Sequence, residues 1–90
     1  MKKKGFTRPI KYIFVGKPNL TKTTLAKKLG LSYFESDGIK HPLSLESYDL
    51  TKEIIILGGK YSKIASPVVD LLMTRLADYQ VIILEFKRGN

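Results

Sequence analysis

The 90 residues carry 16 basic and 8 acidic side chains, a net charge of +8, and 43% of them are apolar. This composition is typical of one small folded domain rather than a disordered segment. There is no cysteine and His41 is the single histidine, which excludes disulfides, thiol chemistry and a cysteine–histidine zinc site. The positive charge favours anionic partners, namely nucleotides, nucleic acid or acidic protein surfaces.

The first nine residues form a basic tail, and no apolar run in the chain is long enough to cross a bilayer. The tail begins like a signal peptide, but the apolar run that follows is too short and is interrupted by charges. We therefore expect one domain, residues 1–90, that is soluble and cytoplasmic and has no membrane partner.

The first third of the chain is predicted to form a strand, a helix and a second strand. Residues 11–15 are a β-favouring run that is apolar on both faces, and Gly16 follows it directly. Apolar residues at helical spacing predict a helix over 22–29, and Gly30 lies where a helix C-terminal glycine belongs. Residues 31–35 are predicted to be a short second strand.

The rest of the chain is predicted to contain one helical turn, a third strand, a second helix and a fourth strand, at residues 44–48, 53–57, 67–77 and 81–86. Ser66 and Pro67 indicate the start of the second helix, because serine supplies an N-cap oxygen and proline suits the first helical position. The order β-α-β-loop-β-α-β predicts an α/β domain with a parallel sheet and right-handed crossovers. The fourth strand then lies at an open edge, where a second copy or another partner can pair with it.

Residues 16–24, GKPNLTKTT, lie between the first strand and the first helix and resemble a phosphate-binding loop. The pattern G-x-x-x-x-G-K-[ST] is met except at its second glycine, where Thr21 stands. Backbone N–H groups and a helix N-terminus surround the phosphates in such a loop, a lysine contacts them, and a hydroxyl binds Mg²⁺. The candidate nucleotide-binding residues are therefore Gly16, Asn19, Leu20, Thr21, Lys22, Thr23 and Thr24. The alternative is a former phosphate loop that now serves only as a strand–helix turn.

Residues 12–38 together resemble the start of P-loop kinases for small substrates, such as the thymidylate, other nucleoside-monophosphate, shikimate and gluconate kinases. The resemblance implies a three-layer α/β/α fold with four parallel strands in the order 2-3-1-4, and ATP or another nucleotide with Mg²⁺ as ligand. In these kinases an acidic residue after the second strand faces substrate or magnesium, and Asp37 matches it. By resemblance, Lys22 and Asp37 are catalytic, and Thr23 and Asp37 bind magnesium.

Two of these assignments have alternatives. Asp37 and Gly38 also form an ordinary turn dipeptide, and Glu35 is a weaker candidate for the same role because strand alternation could send it to the other face. In the kinases, the glycine at the position of Thr21 typically has a positive φ angle. Thr21 is therefore expected either to carry about 1–3 kcal/mol of strain, which Thr21→Gly would relieve, or to give the loop another shape.

The sequence also departs from the kinases beyond the loop. Its third strand ends in Leu57-Gly58-Gly59-Lys60, where thymidylate kinases have Asp-Arg. We expect no counterpart, within these 90 residues, of the basic lid and fifth strand with which the kinases continue. Glu85 is a remote third carboxylate. We therefore expect either a nucleotide-binding kinase-like domain with weak or no catalysis, or a pseudoenzyme, of the economical kind common in phage genes, that binds a protein or nucleic acid through its basic surface.

Overall fold

The computed structural model describes residues 8–16, 21–36, 43–58 and 66–86. Four strands, two α-helices and one 3₁₀ turn follow the predicted order. The strands are β1 (Ile10–Gly16), β2 (Tyr33–Glu35), β3 (Ile54–Ile56) and β4 (Gln80–Phe86), the helices are α1 (Thr21–Leu29) and α2 (Pro67–Arg75), and the 3₁₀ turn is Leu45–Ser47. Each predicted element is present, with ends that differ by one or two residues, so the predicted α/β class is confirmed.

The strands form one parallel sheet in the order β2-β3-β1-β4, as the resemblance implied. β1 lies in the interior of the sheet and pairs with β3 on one side and with β4 on the other. Phe14, near the C-terminal end of β1, is opposite Ile56 of β3 and Leu84 of β4. The C-terminal ends of all strands therefore meet at one edge of the sheet, where parallel α/β folds bind their ligands.

The two faces of the sheet have separate apolar cores, because successive strand residues point to opposite faces. On the α1 face, the buried residues are Phe14, Ala26, Ile54 and Ile56. On the α2 face, the buried residues are Ile13, Val15, Leu45, Tyr48, Ile55, Leu57, Val68, Val69 and Leu72. The sheet therefore lies between one helix on each side, which is the three-layer arrangement.

Local sequence signals account for two helix ends. Gly30 follows α1 with a φ of +70°, and its N–H donates to the carbonyl of Lys27 at 3.1 Å, as expected for a C-terminal glycine. At the start of α2, the Ser66 hydroxyl accepts a hydrogen bond from the N–H of Val69 at 3.3 Å, and Pro67 takes the first helical position. The predicted helix start at Ser66-Pro67 is confirmed.

One charged side chain, Lys11, is buried near the N-terminal end of β1 and is only 4% exposed. Its ammonium donates to the carbonyls of Leu50 and Lys52, the latter at 2.7 Å, and lies 4.8 Å from the ring centroid of Tyr79. Burial lowers the pKa of Lys11, whereas the charges of Asp49 and Glu53 raise it by less. This lysine therefore connects β1 to the segment before β3, at the edge of the sheet opposite the phosphate-loop motif.

Candidate phosphate-binding site

The junction of β1 and α1 brings together the first and last parts of the phosphate-loop motif. Gly16 is the last residue of β1, and Lys22 lies in the first turn of α1. The Lys22 side chain is 2% exposed and points back toward the strand, where its ammonium donates to the carbonyl of Gly16 at 3.2 Å. The positive charge is therefore held at the C-terminal end of the central part of the sheet.

The helix adds a partial positive charge to that of the ammonium. The N-terminal end of an α-helix carries this partial charge because its peptide dipoles are aligned. The first turn of α1 contains no acidic residue. A phosphate beside Thr21 and Lys22 would therefore meet positive potential from both the backbone and the ammonium, with no carboxylate from that turn to oppose it.

Thr23 contacts an acidic residue from the second strand. Its hydroxyl donates to the Oε2 atom of Glu35, the last residue of β2. The register explains this contact, because Glu35 is opposite Ile56, whose side chain belongs to the α1 face. Glu35, the weaker sequence candidate, therefore lies on the face of the sheet that carries α1.

The structure shows none of the backbone strain considered for Thr21. Thr21 is the first residue of α1, and no residue other than glycine has a positive φ within the described ranges. The expected alternative of 1–3 kcal/mol of strain is therefore wrong, because the helix begins one residue earlier than predicted and gives Thr21 a helical backbone. The expectation that Thr21→Gly tightens binding by relieving strain loses its basis.

A cavity of about 390 Å³ opens beside this junction, on the side of β4. It lies between the outer side of α1 and the end of β4, and it is lined by Thr21, Thr24, Leu25, Lys28 and Phe86. The ring of Phe86 stacks at an angle on Phe14, with 5.0 Å between ring centroids, which fixes one wall. A cavity of this volume falls within the range of small-molecule pockets.

The remaining predicted site residues are either outside the described residues or on the other face of the sheet. Asn19, Leu20 and Asp37 lie outside the described residues, so their predicted roles stay predictions. Glu85 is opposite Val15, whose side chain belongs to the α2 face, so it lies across the sheet from α1. No cluster of three or more histidine, cysteine, aspartate or glutamate residues exists within the described ranges, so a purely protein-built metal site is not found there.

Part of this arrangement leaves no signal in the amino-acid sequence. The cavity beside α1 and the role of Phe86 as its wall depend on how the end of β4 packs beside α1, which neither the periodicity nor the implied strand order shows. The position of Glu35 follows from its pairing with Ile56, which sends both side chains to one face of the sheet. That inference needs the register of two short strands, which becomes known only with the structure.

Comparisons with known proteins identify no relative: no family model, no curated protein and no solved structure matches this chain. Among the described residues, no helix has the length and apolar character needed to cross a membrane.

Proposed function

We propose that this protein binds a nucleotide, with the phosphates at the junction of β1 and α1. The observation that carries the proposal is the Lys22 ammonium, which is held 3.2 Å from the Gly16 carbonyl at the mouth of α1. A polyphosphate placed there would be attracted both by the ammonium charge and by the partial positive charge of the helix N-terminus. ATP or another nucleoside triphosphate provides that chemistry.

The oxygen atoms of Thr23 and Glu35 fit a magnesium ion bound together with the nucleotide. Mg²⁺ takes oxygen ligands, keeps several waters, and is usually held by one or two carboxylates plus the phosphates of the substrate. The Thr23 hydroxyl donates a hydrogen bond to the Glu35 carboxylate, so two oxygen atoms that could act as metal ligands lie side by side. When bound, the ion would neutralise phosphate charge, and this chain would supply only the two side chains that hold it.

The cavity next to α1 supports a position for the nucleobase. The base would contact the Phe86 ring and the Leu25 side chain, while Lys28 and Thr24 at the rim could bond its polar edge. Stacking of a base on an aromatic ring contributes about 1–3 kcal/mol and tolerates any base. The proposal therefore assigns no base preference to the site.

Catalysis is expected to be weak or absent. Phosphoryl transfer depends on charges placed around the transferred group. In the described residues, β3 is followed by Leu57 and Gly58, so no carboxylate follows it there. Lys22, Thr23 and Glu35 would bind and orient the phosphates and the ion, and we propose that binding depends most on Lys22.

Thermal unfolding in the presence of Mg-ATP, Mg-GTP or dTMP tests this proposal. A ligand at ten times its Kd adds about 1.4 kcal/mol, which corresponds to a rise in Tm of roughly 6–11 °C for a domain of this size. Lys22→Met should abolish the rise, and Lys27→Met is the matched control because it removes an equal charge from an exposed position in the same helix. A rise that persists in Lys22→Met, or no rise with any nucleotide, contradicts the proposal.

The second candidate is a pseudoenzyme that reuses the same scaffold to bind nucleic acid or a protein. The observation in its favour is the net charge of +8, combined with a Lys22 ammonium that already bonds the main chain and so has a structural role. Binding to phosphate backbones by dispersed lysines weakens steeply with salt. Retention on DNA that falls with salt and is unchanged in Lys22→Met, without any nucleotide effect on Tm, would favour this candidate.

A further inference from the structure

The edge strand β4 has an outer side that no described residue pairs with. All seven of its residues, Gln80–Phe86, pair with β1 in unbroken register on the inner side. Natural edge strands are usually protected against pairing by prolines, bulges, lysines or very short length. β4 has no proline, no interruption of its register, and Glu85 as its single charged residue. This strand is therefore ready to accept another strand.

The direction of each β4 backbone group follows from one hydrogen bond. The N–H of Gln80 donates to the carbonyl of Pro9 at 2.8 Å, so Gln80 directs its backbone groups toward β1. Backbone groups alternate in direction along a strand. Residues 82, 84 and 86 therefore also face β1, and Val81, Ile83 and Glu85 direct their N–H and carbonyl groups outward.

We propose that a second copy of this chain pairs with that outer edge, antiparallel, about a two-fold axis at Ile83. In this register Ile83 is opposite Ile83 of the second copy, and Val81 is opposite Glu85 of the second copy. Every outward-facing residue then meets another outward-facing residue, and the three pairs exchange about six hydrogen bonds. The two four-stranded sheets become one sheet of eight strands with isologous contacts.

The side chains in this register are self-complementary. Ile82 and Leu84, which share the α1 face, become direct neighbours across the axis, and Leu84 is 36% exposed in the single chain. Directly opposed apolar pairs in antiparallel strands each contribute roughly 0.2–1 kcal/mol. The two Glu85 carboxylates stand opposite Val81 residues rather than each other, so no like charges are opposed within the strand.

Charge also distinguishes a second copy from other occupants of this edge. Two chains of +8 repel at long range, so their association depends on short-range contacts and strengthens as salt screens the repulsion. An acidic peptide bound by charge would show the opposite salt dependence. The pairing also places Gln80 of the second copy opposite Phe86, beside the candidate nucleobase cavity, so the dimer would extend its rim.

The first test measures the mass in solution by light scattering and sedimentation at submillimolar concentration. The wild type should have twice the 10.2 kDa of one chain, more completely at high salt. Glu85→Pro removes an outward N–H that β1 does not use, and should give a monomer with the wild-type circular dichroism spectrum. Glu85→Ala, the matched control, keeps the N–H and should remain a dimer. A monomeric wild type or a dimeric Glu85→Pro would overturn the proposal.

The second test determines the register by disulfide cross-linking. The chain has no native cysteine, so an introduced cysteine is the only thiol that can react. Ile83→Cys should form a disulfide with its own copy, because opposed residues lie about 5.5 Å apart between Cα atoms, within the disulfide range of about 4.4–6.8 Å. Val81→Cys should not form a disulfide, because Val81 of the second copy lies four residues farther along the paired strand, which is about 14 Å. Cross-linking of Val81→Cys but not of Ile83→Cys would disprove the register. If the outward N–H groups of β4 resisted hydrogen exchange in a monomer, the edge would be covered within one chain and the proposal would be wrong.

Discussion

Gly16 of β1 lies directly opposite Phe86 of β4 with no room for a side chain between them. A Cβ atom added to Gly16 would overlap the backbone carbonyl oxygen of Phe86 and lie 3.1 Å from its Cβ. The φ angle of Gly16 is +148°, which side chains rarely allow. The first glycine of the phosphate-loop motif is therefore required by the sheet itself, whether or not a phosphate binds.

Gly16→Ala should lower the free energy of unfolding by about 3 kcal/mol or more, since backbone strain of about 1–3 kcal/mol adds to the clash with Phe86. Gly30→Ala is the matched control. Its φ of +70° also disfavours alanine, but nothing lies within 4 Å of the added Cβ, so about 1–2 kcal/mol is expected. Denaturant unfolding of both variants measures the difference. Equal losses would mean that the contact with Phe86 costs nothing.

The N-cap hydrogen bond of α2 should make its own contribution to the free energy of unfolding. Ser66→Ala removes the oxygen that accepts the Val69 N–H and should cost about 1 kcal/mol. Ser66→Asp keeps an acceptor at the helix N-terminus, where a negative charge is favourable, and should recover most of the stability that Ser66→Ala loses at neutral pH. The position is only 6% exposed, so the larger carboxylate must fit beside the first turn of α2. A Ser66→Ala variant as stable as wild type would show that the bond is not formed in solution.

The fold could be predicted from sequence because its signals are local and agree with one another. Residues 12–15 and 54–57 are apolar at every position, which suits a sheet covered on both faces. Ser66-Pro67 marks a helix start by chemistry that needs no tertiary contact. Parallel strands and right-handed crossovers leave few topologies, and the order 2-3-1-4 among them was implied by the resemblance to P-loop kinases.

The site could be predicted only in part, because side-chain contacts depend on register and burial. Thr21 was expected in a loop, but the helix extends to include it and removes the strain. Glu35 contacts Thr23 through the pairing of β2 with β3, two strands of three residues each. Lys11 resembles a surface lysine in sequence, yet it is buried because Leu50 and Lys52 offer it carbonyl oxygens. None of these contacts leaves a periodic pattern.

The burial of Lys11 predicts a pH dependence of stability. Its folded pKa is lowered below the 10.5 of an exposed lysine, so the unfolded chain binds more protons between those two values. The free energy of unfolding should therefore increase as the pH rises through that interval. Below the interval, the folded chain bears the full cost of burying the charged ammonium. Lys11→Met should lack this contribution, which urea unfolding at several pH values up to about 10 measures.

Two variants control this experiment. Lys27→Met removes an exposed lysine and should keep the wild-type rise, because Lys11 is still present. Burial raises the pKa of Tyr48, so stability is lost above pH 10 as the unfolded tyrosine ionises first. Measurements below that pH separate the two groups. If the wild type and Lys11→Met had the same pH dependence of stability, folding would leave the pKa of Lys11 unchanged and the prediction would be wrong.

The contact between Thr23 and Glu35 predicts how magnesium affects nucleotide binding, provided that the proposed function holds. Glu35→Gln keeps the size of the side chain but removes the charge that would help to hold Mg²⁺. The affinity for Mg-ATP should fall about tenfold, or 1.4 kcal/mol, whereas the affinity for ATP in EDTA should stay the same or rise, because a repelling carboxylate has been removed. Equilibrium dialysis with and without Mg²⁺ measures both affinities.

The hydroxyl of Thr23 is tested separately from the carboxylate. Thr23→Ser retains an oxygen at the same position and should keep the Mg²⁺ dependence, while Thr23→Val has the same shape without a ligand atom and should lose it. If Glu35→Gln and Thr23→Val reduced ATP affinity equally with Mg²⁺ and with EDTA, the pair would serve only to hold α1 against β2. The effect of Mg²⁺ would then arise elsewhere, and the proposed metal-binding role of Glu35 would be wrong.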